Sequence, residues 1–262
     1  MMILRHELKQ NYKSLLIWSV VLGVLTVIFM GMYESLQGDI ESMADMYSSM
    51  GSFSQAFGMD KISFVTAMGF YGIEAGAMVS ICGAMFGALT GIGILSKEEQ
   101  HHTAEFLFTH PISRKRVMLE KLIFLVVQIL VFNIIYFGFA VLSFSVIGES
   151  IEWKPFILFH VAQMLMHLQI GVLCFGISTY MRRQNTGAGL GLATLMYFLG
   201  LLYNVSDKAE MLKYITPFVY ADAGTIMSEE TIDFMLVGIG WAIVLVILLV
   251  GVIHYHRKDL VA

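Results

Sequence analysis

Residues 76–95 read GAMVSICGAMFGALTGIGIL, a run of twenty residues without a charged side chain. A helix needs roughly 20 apolar residues to cross the hydrocarbon core of a bilayer, so this run is long enough to span a membrane. Within it, Gly83, Gly87 and Gly91 recur four residues apart, which places them on one helix face where a second helix can approach closely. The run therefore predicts a membrane-spanning helix that packs tightly through its glycine face.

The composition of the whole chain agrees with this interpretation. Of 262 residues, 57% are hydrophobic and only 14% are charged, which is typical of an integral membrane protein and unlike a soluble domain. Cys82 and Cys174 both lie in apolar runs, so neither a disulfide framework nor a cysteine metal site is predicted. The apolar runs predict one membrane domain over residues 1–262, and its six spans are 15–33, 72–95, 117–147, 155–181, 186–204 and 234–255.

The lysines and arginines sort unevenly between the segments that join these spans. Four of the sixteen fall on one side of the predicted membrane, at Lys61, Lys154, Lys208 and Lys213. The other twelve fall on the opposite side: Arg5, Lys9, Lys13, Lys97, Arg114, Lys115, Arg116, Lys121, Arg182, Arg183, Arg257 and Lys258. Because cytoplasmic loops are enriched in lysine and arginine, the richer side is predicted to be cytoplasmic and to hold both termini. We expect a multi-pass protein of the cell membrane, most simply a bacterial plasma membrane.

The segments outside the spans are predicted to differ in structure and in location. Residues 1–14 alternate apolar and charged side chains at helical spacing, which predicts an amphipathic helix on the inner leaflet. The two long outer segments are 34–71 and 205–233, and short helices are expected in both. Residues 96–116 form the main cytoplasmic connection, between the second and third spans.

His160, Gln163 and His167 form one polar stripe along the fourth span. Polar groups at membrane depth are costly unless they face protein or water, so the stripe is expected to point into the bundle. It could hydrogen-bond to other helices, or it could line a substrate path. A third interpretation is an intramembrane enzyme in which these histidines bind a metal or haem. That enzyme would need matching histidines at equal depth on another span, and the sequence supplies none at matching positions.

Other catalytic motifs are incomplete. Phe156–His160 reads FxxxH and Glu98-Glu99 is a paired carboxylate, as in intramembrane CAAX-type proteases, but position 103 is Thr rather than the required arginine. The predicted topology also puts these two motifs near opposite membrane faces. The sequence has no GxxxxGK[ST] phosphate loop and no Gly-Lys pair, so any ATP must be bound by another polypeptide. No catalytic residue, bound cofactor or metal ligand is predicted in this chain.

Residues 97–121, KEEQHHTAEFLFTHPISRKRVMLEK, carry the densest charge in the chain. Pro111 should end a short helix, and Ser113 is placed to cap the helix that follows. A merely solvated loop has no need for Phe106, Leu107 and Phe108. A short helix with exposed apolar side chains and flanking charge is typical of a docking element for a cytoplasmic partner.

This segment resembles a known signature, ExxxGTxExLLxxPxSR followed by a lysine, from the loop between spans two and three of type-2 ABC transporter permeases. The matching residues are Glu98, Thr103, Glu105, Leu107, Pro111, Ser113, Arg114 and Lys121. Two positions depart from the signature: His102 stands where glycine is usual, and Phe108 replaces the second leucine. In that family the loop forms a coupling helix that sits in a cleft of the ATP-binding subunit. The resemblance implies an all-α permease domain in which 1–14 is the connecting helix and 96–116 the coupling loop.

The resemblance also implies partners and roles. A separate ABC ATPase subunit would hold ATP and Mg. A second permease subunit, identical or related, would complete the transporter. No nucleic acid is expected as a partner. The candidate residues for coupling to the ATPase are Glu98, Glu99, Thr103, Glu105, Phe106, Leu107, Pro111 and Arg114. The expected function is export of an amphipathic or hydrophobic substrate such as a peptide, a lipid or a drug-like molecule. The alternatives are the intramembrane enzyme described above and a non-transporting immunity or sensor subunit.

Overall fold

The computed structural model describes residues 2–100 and 113–258. Within these ranges, the side chains of Glu41, Ser48, Glu98, Glu99 and Asp207 also lie outside the described part. The described residues form helices and short connections, with no strand among them. The predicted all-α class is therefore confirmed.

Six helices are long and apolar enough to cross a membrane, as the sequence predicts. The first to sixth spans are Met2–Leu36, Ala67–Ile92, Arg114–Ile147, Trp153–Ser178, Thr186–Val205 and Phe234–Arg257. All six extend beyond the predicted bounds at one end or both, the first by thirteen residues at its start, whereas the second and the fourth each end three residues earlier than predicted. Ser113 caps the third span as expected: its Oγ accepts a hydrogen bond from the Arg116 backbone N–H.

The amphipathic N-terminal segment is helical and continuous with the first span. Met2–Leu36 is one helix of 35 residues, so no break separates the amphipathic part from the first span. Ile3 is buried, and Leu4 and Leu8 pack against an apolar cluster built from the third, fourth and sixth spans and the link after the second. The Leu4 backbone N–H also donates to the Glu120 carboxylate at 3.1 Å. One side of this segment therefore packs against protein, whereas its basic side chains are exposed.

The second span contains a change of helix type. It begins as the α-helix Ala67–Phe70, passes through a π-helical turn at Tyr71–Ala75, and continues as the α-helix Gly76–Ile92. A π-turn inserts an extra residue into the helix and is common at functional positions. Here it directs the Tyr71 side chain into the bundle, where it is fully buried.

Short helices occupy both long segments at the end of the bundle opposite the basic residues, in agreement with the sequence. Ile40–Ser49 and Ser52–Ala56 follow the first span, and the 3-10 helix Asp207–Tyr214 and the α-helix Ala223–Glu229 follow the fifth. The two segments touch, because Lys61 Nζ donates to Thr225 Oγ1 at 3.0 Å and lies 3.6 Å from the Asp222 carboxylate.

The second and fourth spans form the most buried part of the bundle. The fourth packs on the second, the third on the first, the fifth on the second and the sixth on the fourth. The first, fifth and sixth spans leave apolar side chains exposed, including Ile17, Leu195 and Leu249. In a bilayer these faces must be covered by lipid or by another subunit.

Candidate functional site

The glycine face of the second span meets the fourth span at backbone distance. A Cβ atom added at Gly83 would lie 2.3 Å from the His167 ring, and one at Gly91 would lie 2.3 Å from the Gly171 carbonyl oxygen. A Cβ at Gly87 would lie 2.7 Å from the His167 carbonyl oxygen. The predicted packing role of the three glycines thus has a partner: the stretch of the fourth span from His167 to Gly171.

His167 lies at the centre of this contact and is completely buried. Its Nδ1 lies 3.1 Å from the Oδ1 of Asn133 on the third span, so the two share one hydrogen bond. The ring of Phe132 packs edge-on against the imidazole with 5.9 Å between centroids. His167 therefore connects the second, third and fourth spans at one level.

His160 lies two turns away along the fourth span and contacts the π-turn. The Tyr71 hydroxyl and His160 Nε2 are 3.1 Å apart. Nearby, the Tyr136 hydroxyl of the third span lies 3.0 Å from the Thr26 hydroxyl of the first. Aromatic rings enclose His160, among them Phe156 at 4.5 Å between ring centroids.

Gln163 and the neighbouring Gln169 fasten the fourth span to the segment that follows the fifth span. The Gln163 amide donates to the Ala221 carbonyl at 2.9 Å, and the Tyr220 hydroxyl donates to Gln169 Oε1 at 2.7 Å. Burial raises the pKa of Tyr220, so its hydroxyl stays protonated and remains a donor at physiological pH.

The polar stripe of the fourth span is therefore buried and hydrogen-bonded in this conformation. His160, Gln163 and His167 each bond to a different element, which matches the helix-to-helix bonding that the sequence allowed. Their role in lining a substrate path stays a prediction. Among the residues that the structure describes, no three His, Cys, Asp or Glu side chains are grouped so that they could hold a metal ion.

The proposed coupling residues are placed only in part. Thr103, Glu105, Phe106, Leu107 and Pro111 lie outside the described residues, as does His102. Glu98 and Glu99 belong to the short helix Lys97–Gln100, but their side chains are outside the described part.

Arg114 lies among the described residues and bonds to the end of the sixth span. Its guanidinium donates to the carbonyl oxygens of Tyr255 at 3.2 Å and Lys258 at 2.6 Å, at the C-terminal end of the sixth span. The last carbonyls of a helix have no partner within it, so a cation there satisfies them. Arg114 thus joins the start of the third span to the end of the sixth.

A buried ion cluster that the sequence did not predict lies at the basic end of the bundle. The Glu7 carboxylate of the first span lies 2.5 Å from Lys97 Nζ and 3.7 Å from Lys121 Nζ. Lys121 is completely buried, and its ammonium also donates to the Ile94 carbonyl. The one signal for this cluster was Glu7 itself, the only acid within an otherwise basic N-terminal segment.

Comparison with known proteins agrees with this architecture. A family model described as ABC-2 family transporter protein matches residues 1–260. A search of curated proteins finds no match. Because the match covers nearly the whole chain, the chain belongs to the ABC-2 transporter family, as the resemblance of residues 97–121 indicated. Its six apolar helices make it a multi-pass membrane component of a transport system.

The glycine contact predicts a sharp difference between two alanine variants. In Gly91→Ala the new methyl group would meet the Gly171 carbonyl oxygen, so we expect the two spans to shift and stability to fall by about 1–3 kcal/mol. Gly191→Ala in the fifth span is the matched control, because a Cβ there has no atom within 4 Å. Thermal unfolding of the two purified variants measures the difference, and equal midpoints would show that the close contact does not form.

Proposed function

We propose that this ABC-2 family member is the membrane subunit of an ABC exporter, and that it moves amphipathic or hydrophobic molecules. A separate ATPase subunit would bind ATP and Mg, and a second permease subunit, identical or related, would complete the transport path. The observation that carries this proposal is the family match over residues 1–260. The lack of a phosphate loop in the sequence supports placing the ATPase on another chain.

The ends of the 101–112 segment are fastened in a way that suits a coupling element. At one end, Lys97 is paired with Glu7 of the first span, and the Gln100 side chain accepts a hydrogen bond from the Gln184 backbone N–H at 2.8 Å. At the other end, Arg114 is bonded to the end of the sixth span. These contacts would pass a movement of the described residues on either side of 101–112 to the first and sixth spans and to the link that enters the fifth.

The proposed cycle is alternating access. ATP-driven closure of the ATPase subunits would draw two coupling segments together, one from each permease subunit. Because Lys97 and Arg114 transmit that movement to different spans, the spans would repack against one another and expose a path outward. No aspartate, glutamate, lysine or arginine lies in the middle of any of the six predicted spans, which favours an apolar or amphipathic cargo over a small ion.

The orientation in this proposal places both termini and the 96–116 connection in the cytoplasm. In a chain whose Cys82 and Cys174 are replaced by serine, a Met211→Cys label should react with a membrane-impermeant maleimide on intact cells. An Arg183→Cys label should react only after the cells are made permeable. Both positions are exposed, so accessibility within the protein does not decide the result. Labelling in the opposite pattern would invert the topology.

The coupling role is tested by removing two signature residues together. Glu105→Ala combined with Pro111→Ala should leave the chain in the membrane but lower ATP-driven transport at least about tenfold, the effect of losing about 1.4 kcal/mol of coupling. The readout is transport of a fluorescent amphipathic cargo into inverted vesicles, with ATPase activity measured in parallel.

The matched control is Glu210→Ala, which removes an exposed glutamate from the opposite end of the bundle. Glu210 pairs with Lys213 at 2.6 Å, and this hydrogen bond lowers the pKa of the carboxyl group. Such an exposed pair contributes little, so transport should be unchanged. Full ATP-coupled transport by the double variant would refute the coupling assignment.

A further inference from the structure

A cavity of about 220 Å³ opens at the basic end of the bundle between the first, second and third spans. Glu7, Asn11, Ser14 and Trp18 of the first span line one wall, spaced so that they fall on one helix face. This face of the first span is turned towards the bundle, and the basic side chains of residues 1–14 lie on the opposite, exposed face. We name the space that it borders the polar cavity.

The strongest sign that the polar cavity takes a ligand is Gln128 on the third span. It lines the cavity and is only 2% exposed, yet neither its amide nitrogen nor its carbonyl oxygen has a hydrogen-bond partner among the described residues. Gln128 lies eleven residues beyond the predicted start of its span, about 16 Å along the helix and so near the middle of a bilayer core. Buried polar groups are nearly always hydrogen-bonded, so a visiting molecule or water must supply the partner.

The two charged residues that line the polar cavity, Glu7 and Lys97, form an ion pair with each other. Lys121, 3.7 Å from Glu7, is not part of the lining and also donates to the Ile94 carbonyl, and Asn11 Nδ2 donates to the Glu7 carboxylate at 3.3 Å. The remaining polar lining consists of amides and hydroxyls, at Ser14, Thr90, Gln128, Gln184 and Thr186. Such a lining offers both donors and acceptors and no unpaired charge, which suits an uncharged polar group rather than a phosphate or an ammonium.

An aromatic wall stands beside these polar groups. The rings of Trp18 and Phe86 border the cavity with 6.0 Å between their centroids, and Phe86 stacks on Phe132 at 4.9 Å. Ser14 and Thr186 at the rim are exposed, so the cavity can be reached from outside the bundle. Apolar rings next to neutral hydrogen-bonding groups match a molecule with a polar head and an apolar body.

We propose that the polar cavity binds the uncharged, hydroxyl- or amide-bearing head of an amphiphile, with Gln128 making the decisive hydrogen bonds. The role of that amphiphile as cargo rests on the proposed function, whereas its binding does not. The same head chemistry could arrive on a lipid already in the bilayer or on a dissolved amphiphile, so both sources enter the test.

The test uses the full-length chain in phosphatidylcholine nanodiscs without any ATPase. Trp153→Phe and Trp241→Phe leave Trp18 as the reporter, since the chain has three tryptophans. Glucosyl diacylglycerol supplies the neutral head from the bilayer, and octyl glucoside below its micelle concentration supplies it from solution. Saturable change of the Trp18 emission with either probe, and none with the anionic lipid phosphatidylglycerol, is the expected result, and the responding probe identifies the source.

Gln128→Leu should weaken binding about tenfold, the effect of losing two neutral hydrogen bonds. Leucine removes an unpartnered polar group, so the thermal midpoint without probe should be equal or higher. Ser14→Ala at the rim provides a second variant of smaller effect. Gln10→Leu makes the same chemical change at an exposed position of the first span outside the cavity lining and should bind as the parent does.

Two outcomes overturn the proposal: no saturable response to either neutral probe, or a Gln128→Leu variant that binds as tightly as Gln10→Leu. In both cases the polar cavity holds only water. A chain that binds the probe but recruits no ATPase would support this site and count against the proposed function alone.

Discussion

The close contact between the second and fourth spans is the constraint on which the rest of the bundle depends. Gly83 and Gly91 have no side chain to hold the helices apart, so the backbones approach and the His167 ring fits against Gly83. That position lets His167 reach Asn133 and thereby fixes the third span. In a membrane no hydrophobic force drives helices together, so such small-residue packing and the hydrogen bonds beside it must supply the association.

A different kind of interaction organises the basic end. Moving charges out of water costs several kcal/mol for each ion, so a buried pair such as Glu7 and Lys121 is poorly explained as a source of stability alone. Ionisable groups at the membrane are usually retained for function. Here the third member, Lys97, begins the segment for which we propose a coupling role, and the cluster joins Lys97 to the first span through Glu7, which also lies near Lys121 of the third.

Much of this architecture could be predicted from the sequence, because a bilayer imposes a length on every span and a charge bias on every loop. The six spans, the Ser113 cap and the glycine face all follow from such local rules. Contacts between residues that are distant in the sequence do not follow from these rules. Nothing local indicates that Arg114 reaches the end of the sixth span, or that Glu7 meets Lys97.

The amphipathic start of the chain is a second case in which the sequence predicts the local structure but not the contacts. The periodicity of residues 1–14 correctly indicates a helix with one polar and one apolar face. It does not show which residues each face contacts. On one side, Leu4 and Leu8 pack against an apolar cluster built from several spans and Asn11 borders a cavity, whereas the basic side chains on the other side are exposed.

The most direct measurement is to purify the tagged chain from its native membranes and to assay the preparation for a bound ATPase. The account predicts that a subunit with a phosphate loop co-purifies in equal amount to the permease chains and hydrolyses ATP. A chain that is extracted folded and helical, but carries neither an ATPase subunit nor ATPase activity, would contradict it.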